Sequence, residues 1–146
     1  MQSNRSFSIL FLAIILNISG VYANYAFKKK VKDVCKSYRI PIESSQLTLG
    51  PNEVAINMES GRNNFEMFML VGFASVGQAI AHQKEMGLSN AYTPGSILVS
   101  VAVPISKGES NIFIARCSGE MAISLANGQI DSSNFMQEIM KSMEIQ

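Results

Sequence analysis

The chain has 146 residues, of which 47% are hydrophobic and 16% charged, and its formal net charge is +1. This composition is typical of a compact folded protein and excludes an intrinsically disordered chain. The length allows one domain with its own hydrophobic core after any N-terminal leader, and it is too short for two.

The N-terminus is strongly apolar. Residues 6–27 contain no charged residue, and residues 9–16 (ILFLAIIL) form a continuous apolar block. One cation, Arg5, precedes the block, while Val21 and Ala23 supply the small side chains that a signal peptidase accepts. This order of cation, apolar block and small residues is the layout of a secretory signal peptide. The sequence therefore predicts cleavage after Ala23.

On this interpretation residues 1–23 are a signal peptide and residues 24–146 are a single exported domain, either periplasmic or secreted. The alternative is an uncleaved membrane anchor, because the 22 uncharged residues can span a hydrocarbon core of about 30 Å. If the segment is retained, the cations that follow it outnumber Arg5, and the positive-inside tendency places the domain in the cytoplasm.

A basic patch follows the apolar segment. Residues 24–39 carry six cations and one anion, whereas residues 40–146 carry five cations and ten anions. We expect the patch to face either a membrane surface, whose anionic headgroups attract lysine and arginine, or a protein partner. An ordinary solvated helix is the alternative. Residues 40–146, with their excess of anions, would repel phosphate, which argues against nucleic acid as a partner. The patch consists of Lys28, Lys29, Lys30, Lys32, Lys36 and Arg39.

The chain contains two cysteines, Cys35 and Cys117. In an oxidising compartment an even number of cysteines predicts a disulfide. The pairing would close a loop of 82 residues, and loops of that size are stabilised by roughly 4 to 5 kcal/mol in the chain-entropy model. The prediction depends on export, and two buried free thiols are the alternative.

Apolar periodicity predicts the first elements of the domain. A helix is expected over residues 27–38 and is ended by the Ile40-Pro41 pair. Residues 65–86 form either one long buried helix or a strand followed by a helix, and the abundance of Glu, Met, Leu and Ala favours the long helix. A strand is expected over residues 46–58, with three alternate residues on its buried face: Val54, Ile56 and Met58.

Two β-branched strands at residues 97–105 and 111–117 are predicted to pair as a hairpin. Residues 119–126 either extend that sheet or form a short helix. A final helix is capped by Ser132 or Ser133. We therefore expect an α+β fold in which a small antiparallel sheet is packed against helices.

No motif for catalysis, cofactor binding or metal binding is apparent. His82 is the only histidine, and a zinc site needs about four ligands. Ser75 lies in GFASVG, which lacks the G-x-S-x-G spacing of a nucleophile elbow. A thiol nucleophile would require His82 beside one of the cysteines. Copper ligation by some of the nine methionines is a weaker explanation than core packing.

The sequence thus predicts a small exported, non-enzymatic protein without a cofactor. We expect it to serve as a binding or accessory module for a protein partner in an envelope or secreted assembly. The alternative function is that of a membrane-anchored protein whose basic juxtamembrane helix binds anionic lipid.

Overall fold

The structure is a computed structural model that describes residues 21–61 and 64–146, and it confirms the predicted α+β class. Within these residues, four α-helices pack against a five-stranded mixed sheet, and a short 3-10 helix, Ser44–Gln46, precedes the first strand. The helices are α1, of which residues 21–37 are described, α2 (Phe65–Met86), α3 (Gly119–Ala126) and α4 (Ser132–Met140). The strands are β1 (Leu47–Leu49), β2 (Glu53–Glu59), β3 (Ser96–Pro104), β4 (Ser110–Ser118) and β5 (Glu144–Ile145).

The strands lie in the order β1-β2-β3-β4-β5, and the central pair β2–β3 is parallel whereas the other three pairs are antiparallel. The sheet is therefore mixed rather than wholly antiparallel as expected. The reason is the crossover: α2 returns the chain to the end of the sheet where β2 began, so β3 must run in the same direction. The strand expected over residues 46–58 is a hairpin of β1 and β2, which turns at Gly50, whose N–H donates to Glu53 O at 2.9 Å.

Among the described residues, one face of the sheet is buried and the other is left uncovered. Along β3 the side chains alternate between buried and half-buried positions, as a strand with one covered face requires. The expected face of β2 is confirmed as buried, and it is continuous with alternate residues of β3. These core residues are Val54, Ile56, Met58, Ile97, Val99, Val101 and Val103.

Helix α2 covers the buried face of the sheet, and the long-helix interpretation of residues 65–86 is confirmed. Helix α2 has no single apolar face, because the sheet and other helices contact it on several sides. A Cβ at Gly72 would lie 3.1 Å from atoms of Met58 and Val99, and one at Gly77 would lie 2.2 Å from the carbonyl oxygen of Ala122 on α3. By length and composition alone α2 could cross a membrane, and half of its apolar stretch is buried inside the fold.

Helix α1 packs antiparallel to α2. Ala23 and Phe27 face the C-terminal end of α2, while Cys35 faces Ser75 near its middle. The helix ends after Ser37, Arg39 in the following turn adopts a left-handed backbone (φ 62°), and the N–H of Ile40 donates to Cys35 O at 3.0 Å. This i to i−5 bond is the Schellman arrangement that satisfies a terminal carbonyl.

The C-terminal region completes the core. Residues 119–126 form a helix rather than a strand, because Ser118 Oγ accepts a hydrogen bond from the N–H of Met121 and caps it. Helix α4 is capped by Asp131, one residue before the expected serines, and its Phe135 packs against Phe73 of α2 with ring centroids 5.2 Å apart. The two-residue strand β5 was not predicted.

Candidate functional site

The predicted disulfide is absent, and this corrects the sequence interpretation. Cys35 and Cys117 are both free and buried, and they lie far apart. Cys35 contacts Ser75 on α2, whereas Cys117 lies at the end of β4 beside Ala122 of α3. The two thiols occupy different parts of the core because α1 packs on α2 and not on β4.

Neither thiol has the surroundings of a nucleophile. Burial raises the pKa of Cys35, against a smaller opposing effect of its hydrogen bond with Ser75. Burial also raises the pKa of Cys117 to about 12, against a smaller effect of the Ala122 backbone. His82 lies two helical turns beyond Ser75, about 10 Å along the axis of α2. Both thiols are therefore protonated near neutral pH.

Within the parts of the chain that the structure describes, no group of three or more His, Cys, Asp or Glu side chains is placed to hold a metal ion. The methionines are divided between core and surface. Met69 and Met136 are buried, whereas Met67 and Met140 are exposed. Core packing thus accounts for only some of them.

The six residues of the predicted basic patch all lie on α1 or at its C-terminal end. Lys29 forms an ion pair with Asp33, one helical turn later, and its Nζ lies 2.7 Å from Oδ2 of Asp33. That ion pair raises the pKa of Lys29 and lowers the pKa of Asp33. Lys30 is half-buried and lies on the side of α1 that meets α2. The basic patch therefore extends from the solvent-exposed side of α1 to the side that contacts α2.

A groove runs along this boundary, and we call it the α1–α2 groove. It has a volume of about 230 Å³. Lys30 and His82 also line a neighbouring polar recess of about 210 Å³, which extends the groove toward α3 past Gln78, Glu85 and Asn127. The groove itself is lined by Tyr22, Tyr25, Ala26, Lys29, Lys30, Asp33, His82 and Met86.

Large apolar side chains are exposed at the same end of the molecule. Val21, Tyr22 and Tyr25, on the first described turns of α1, are 70%, 60% and 65% exposed. Leu88, in the loop that follows α2, is also exposed. Tyrosines next to lysines at the end of an apolar segment are typical of a membrane–water interface. This end of the molecule thus combines cations with exposed aromatic rings.

Ala23, which the sequence assigns to the signal peptide, lies in the core with 0% exposure. Its carbonyl oxygen accepts a 2.8 Å hydrogen bond from Nε2 of the buried Gln83. Oε1 of the same side chain accepts a 3.0 Å bond from the N–H of Tyr92, whose ring meets that of Phe27 edge-on. The predicted cleavage position is therefore part of the packed interior. Residues 1–20 of the predicted signal peptide lie outside the described residues.

The uncovered face of the sheet, which we call the outer sheet face, is a second candidate surface. Glu53 binds Arg116 across β3, with Oε2 2.8 Å from Nε, and it accepts a 2.8 Å bond from Ser96 Oγ. Further along, a shallow recess of about 400 Å³ has a mixed polar and apolar lining. The residues around it are Gln46, Asn57, Met58, Glu59, Ser100, Ala102 and Ile112.

Sequence reasoning identified the basic patch but missed the α1–α2 groove. Lys30 and His82 are far apart in the chain, and only the antiparallel packing of α1 on α2 brings them to one groove. The spacing of Ala23, Phe27 and Val31 at four-residue intervals was the available signal. It shows that the buried face of α1 begins before the predicted cleavage position.

No protein-family model, curated protein or solved structure matches the chain.

Proposed function

We propose that the chain retains its N-terminal segment as a membrane anchor and holds a non-enzymatic α+β binding module against the cytoplasmic side of the membrane. The observation that carries this proposal is the contact between Ala23 and Gln83. Ala23 has no exposed surface, and its carbonyl is hydrogen-bonded to a buried side chain.

Cleavage after Ala23 would remove this residue from the interior of the domain. The Gln83 amide would then keep its bond to Tyr92 but lose its partner on α1. A buried polar group left without a partner costs about 1 to 3 kcal/mol. A retained segment, by contrast, keeps this bond intact, and residues 21–27 of the uncharged stretch then belong to the folded body and not to the membrane span.

The charge distribution supports a cytoplasmic position for the body. Lys28 and the cations after it follow the apolar segment, whereas Arg5 alone precedes it. Positive charge concentrates on the cytoplasmic side of membrane segments. Two buried, unpaired cysteines are also what a reducing compartment maintains, whereas an exported domain would more often pair them.

Membrane topology and intact mass test this proposal directly. We expect the protein from washed membranes to have the mass of the full chain and to stay in the membrane pellet after an alkaline wash. Protease should digest the body only after the membrane is broken. A soluble product that begins at Asn24 would overturn the proposal and favour the exported module.

The binding role is assigned to the outer sheet face, because the four helices described here leave it uncovered and its centre is only half-buried. We expect a protein partner that crosslinks to the wild-type chain to be lost with Ala102→Arg, which places charge in the recess. Gln129→Arg, in the exposed turn before α4, is the matched control and should retain the partner. Equal crosslinking of both variants would show that the partner binds elsewhere.

A further inference from the structure

The α1–α2 groove combines cations, phenol rings and an apolar floor in one place. Lys29 and Lys30 come from α1, His82 comes from α2, and Ala26 and Met86 supply apolar contact. Tyr22 and Tyr25 line its outer side and expose more than half of their surface. A groove of this kind suits a ligand with an anionic centre and an apolar part.

Two of the groove's nitrogen-bearing side chains are available to such a ligand. Within the residues that the structure describes, Lys30 forms no ion pair within 4.0 Å, and the imidazole of His82 forms no side-chain hydrogen bond. The one carboxylate of the groove, Asp33, is already bound to Lys29 at 2.7 Å. An anion in the groove would therefore meet Lys30 and His82 without displacing an existing ion pair.

The location of the groove indicates the source of the anion. It opens beside the first described turns of α1, where Val21 and Tyr22 are exposed near the end of the uncharged segment of residues 6–27. Tyrosine rings favour the headgroup level of a bilayer, and lysine stems extend from apolar surroundings toward phosphate. If the N-terminal segment is the proposed anchor, a groove beside these turns would lie near the lipid headgroups.

We infer that the α1–α2 groove binds the phosphate headgroup of an anionic phospholipid. Lys30 and His82 meet the phosphate oxygens, the two tyrosines lie along the glycerol region, and Met86 contacts the upper part of an acyl chain. The neighbouring recess offers the amide groups of Gln78 and Asn127 to the headgroup hydroxyls, and its carboxylate, Glu85, can accept hydrogen bonds from the same hydroxyls. This inference rests on the proposed function, because headgroups reach the groove only if α1 enters the membrane near residue 21.

The test uses the full chain in lipid nanodiscs of two compositions, phosphatidylcholine alone and phosphatidylcholine mixed with phosphatidylglycerol. Amide hydrogen exchange is measured over residues 80–90, which include the α2 side of the groove. We expect exchange there to be roughly fivefold slower in the anionic discs, the factor that one cation near an anionic surface gives. Lys30→Gln combined with His82→Gln should abolish the difference.

Lys36→Gln combined with Arg39→Gln is the matched control. It removes two cations from the other end of α1, outside the groove, and should preserve the slower exchange. Equal loss in both double variants would overturn the inference in favour of diffuse charge attraction, as would identical exchange of the wild type in the two discs. Complete suppression by soluble glycerophosphate would also overturn it, because a free phosphate compound would then be the ligand.

The failure of the proposed function gives a different result. The intact mass of the protein in the discs shows whether residues 1–23 are present before any exchange is measured. A full-length chain whose amide hydrogen exchange is the same in both discs would overturn the lipid site but not the proposed membrane anchor. A chain that is processed in cells and recovered as a soluble protein overturns both. Circular dichroism of each variant confirms that loss of protection does not come from unfolding.

Discussion

Gln83 and Ala23 are 60 residues apart in the chain and are joined by a 2.8 Å hydrogen bond from the Gln83 amide to the Ala23 carbonyl. The Gln83 side chain is fully buried and also accepts a bond from the N–H of Tyr92. One side chain thus connects α1, α2 and the loop that follows α2. Buried polar groups that are fully satisfied in this way fix the relative position of the elements they join.

Gln83→Leu is expected to destabilise the domain by about 2 kcal/mol, because it removes a buried bond to the Ala23 carbonyl and leaves the Tyr92 N–H without its acceptor. Gln78→Leu, on the same helix, is the matched control. Gln78 is half-buried and makes no side-chain hydrogen bond within the described residues. Chemical denaturation of the two variants gives the comparison. Equal losses of stability would show that the buried bonds contribute nothing beyond side-chain size.

Gly77→Ala is expected to destabilise the contact between α2 and α3. Alanine is the better helix former by roughly 1 kcal/mol, but its Cβ would lie 2.2 Å from the Ala122 carbonyl oxygen. Relief of that overlap requires the two helices to separate, and overpacking of this kind costs about 1 to 3 kcal/mol. The net effect is therefore a loss of stability, measured by thermal unfolding. Gly61→Ala, whose Cβ would meet nothing within 4 Å, should be close to neutral.

The buried thiol of Cys117 makes stability depend on alkaline pH. Its pKa rises from the ordinary 9.0 to about 12 in the folded protein because of burial. Above pH 9 the unfolded chain releases this proton, whereas the folded chain keeps it. The free energy of unfolding is therefore unaffected by this thiol below pH 9 and decreases as the pH rises from 9 toward 12. The decrease in the free energy of unfolding is about 1.4 kcal/mol per pH unit.

The comparison of wild type with Cys117→Ala isolates this proton, because the other titrating groups are common to both proteins. The difference between their unfolding free energies should be constant below pH 9 and should shrink steadily above it. A difference that stays constant up to pH 11 would show that Cys117 ionises equally in both states. The same samples, alkylated after unfolding without reductant, should each show all of their thiols reactive.

The ion pair on the outer sheet face gives the opposite pH dependence. The hydrogen bond from Arg116 lowers the pKa of Glu53, with a smaller contribution from Ser96. The stabilisation is thus present above the ordinary pKa of 4.5 and is lost as pH falls through the lower folded value. Both side chains are partly exposed, so the effect is small and is screened by salt.

A double-mutant cycle of Glu53→Gln and Arg116→Gln measures this pair. We expect a small favourable coupling at pH 7 and low salt, which disappears in high salt and at acid pH. A coupling that persists in high salt would identify the shape of the pair, rather than its charge, as the stabilising contribution.

Local pattern in the sequence predicted most of the elements. The alternation of Val54, Ile56 and Met58 identified a strand and its buried face, and the β-branched run that begins at Ile97 identified another. The parallel direction of β2 and β3 could not be predicted in this way, because it depends on where the crossover through α2 returns the chain. Strand β5 was missed because two residues carry no periodicity.

The candidate groove was harder to predict than the fold. Periodicity placed Lys30 on a helix and His82 on another, but it did not show which sides of the helices meet. Helix α2 carries little periodicity, since the sheet, α1, α3 and α4 all contact it. The disulfide prediction failed for a related reason: it was inferred from a presumed compartment, whereas the positions of Cys35 and Cys117 are set by packing.

The parallel pairing of β2 and β3 has a consequence for the kinetics of folding. Glu53 and Ser96 are neighbours in the sheet although 43 residues separate them, and a pairing over such a distance requires a large loop to close first. Proteins dominated by contacts of this kind fold slowly. The centre of the sheet should therefore form after the hairpins β1–β2 and β3–β4. Pulsed hydrogen exchange during refolding should show both hairpins protected before the bonds between β2 and β3 appear.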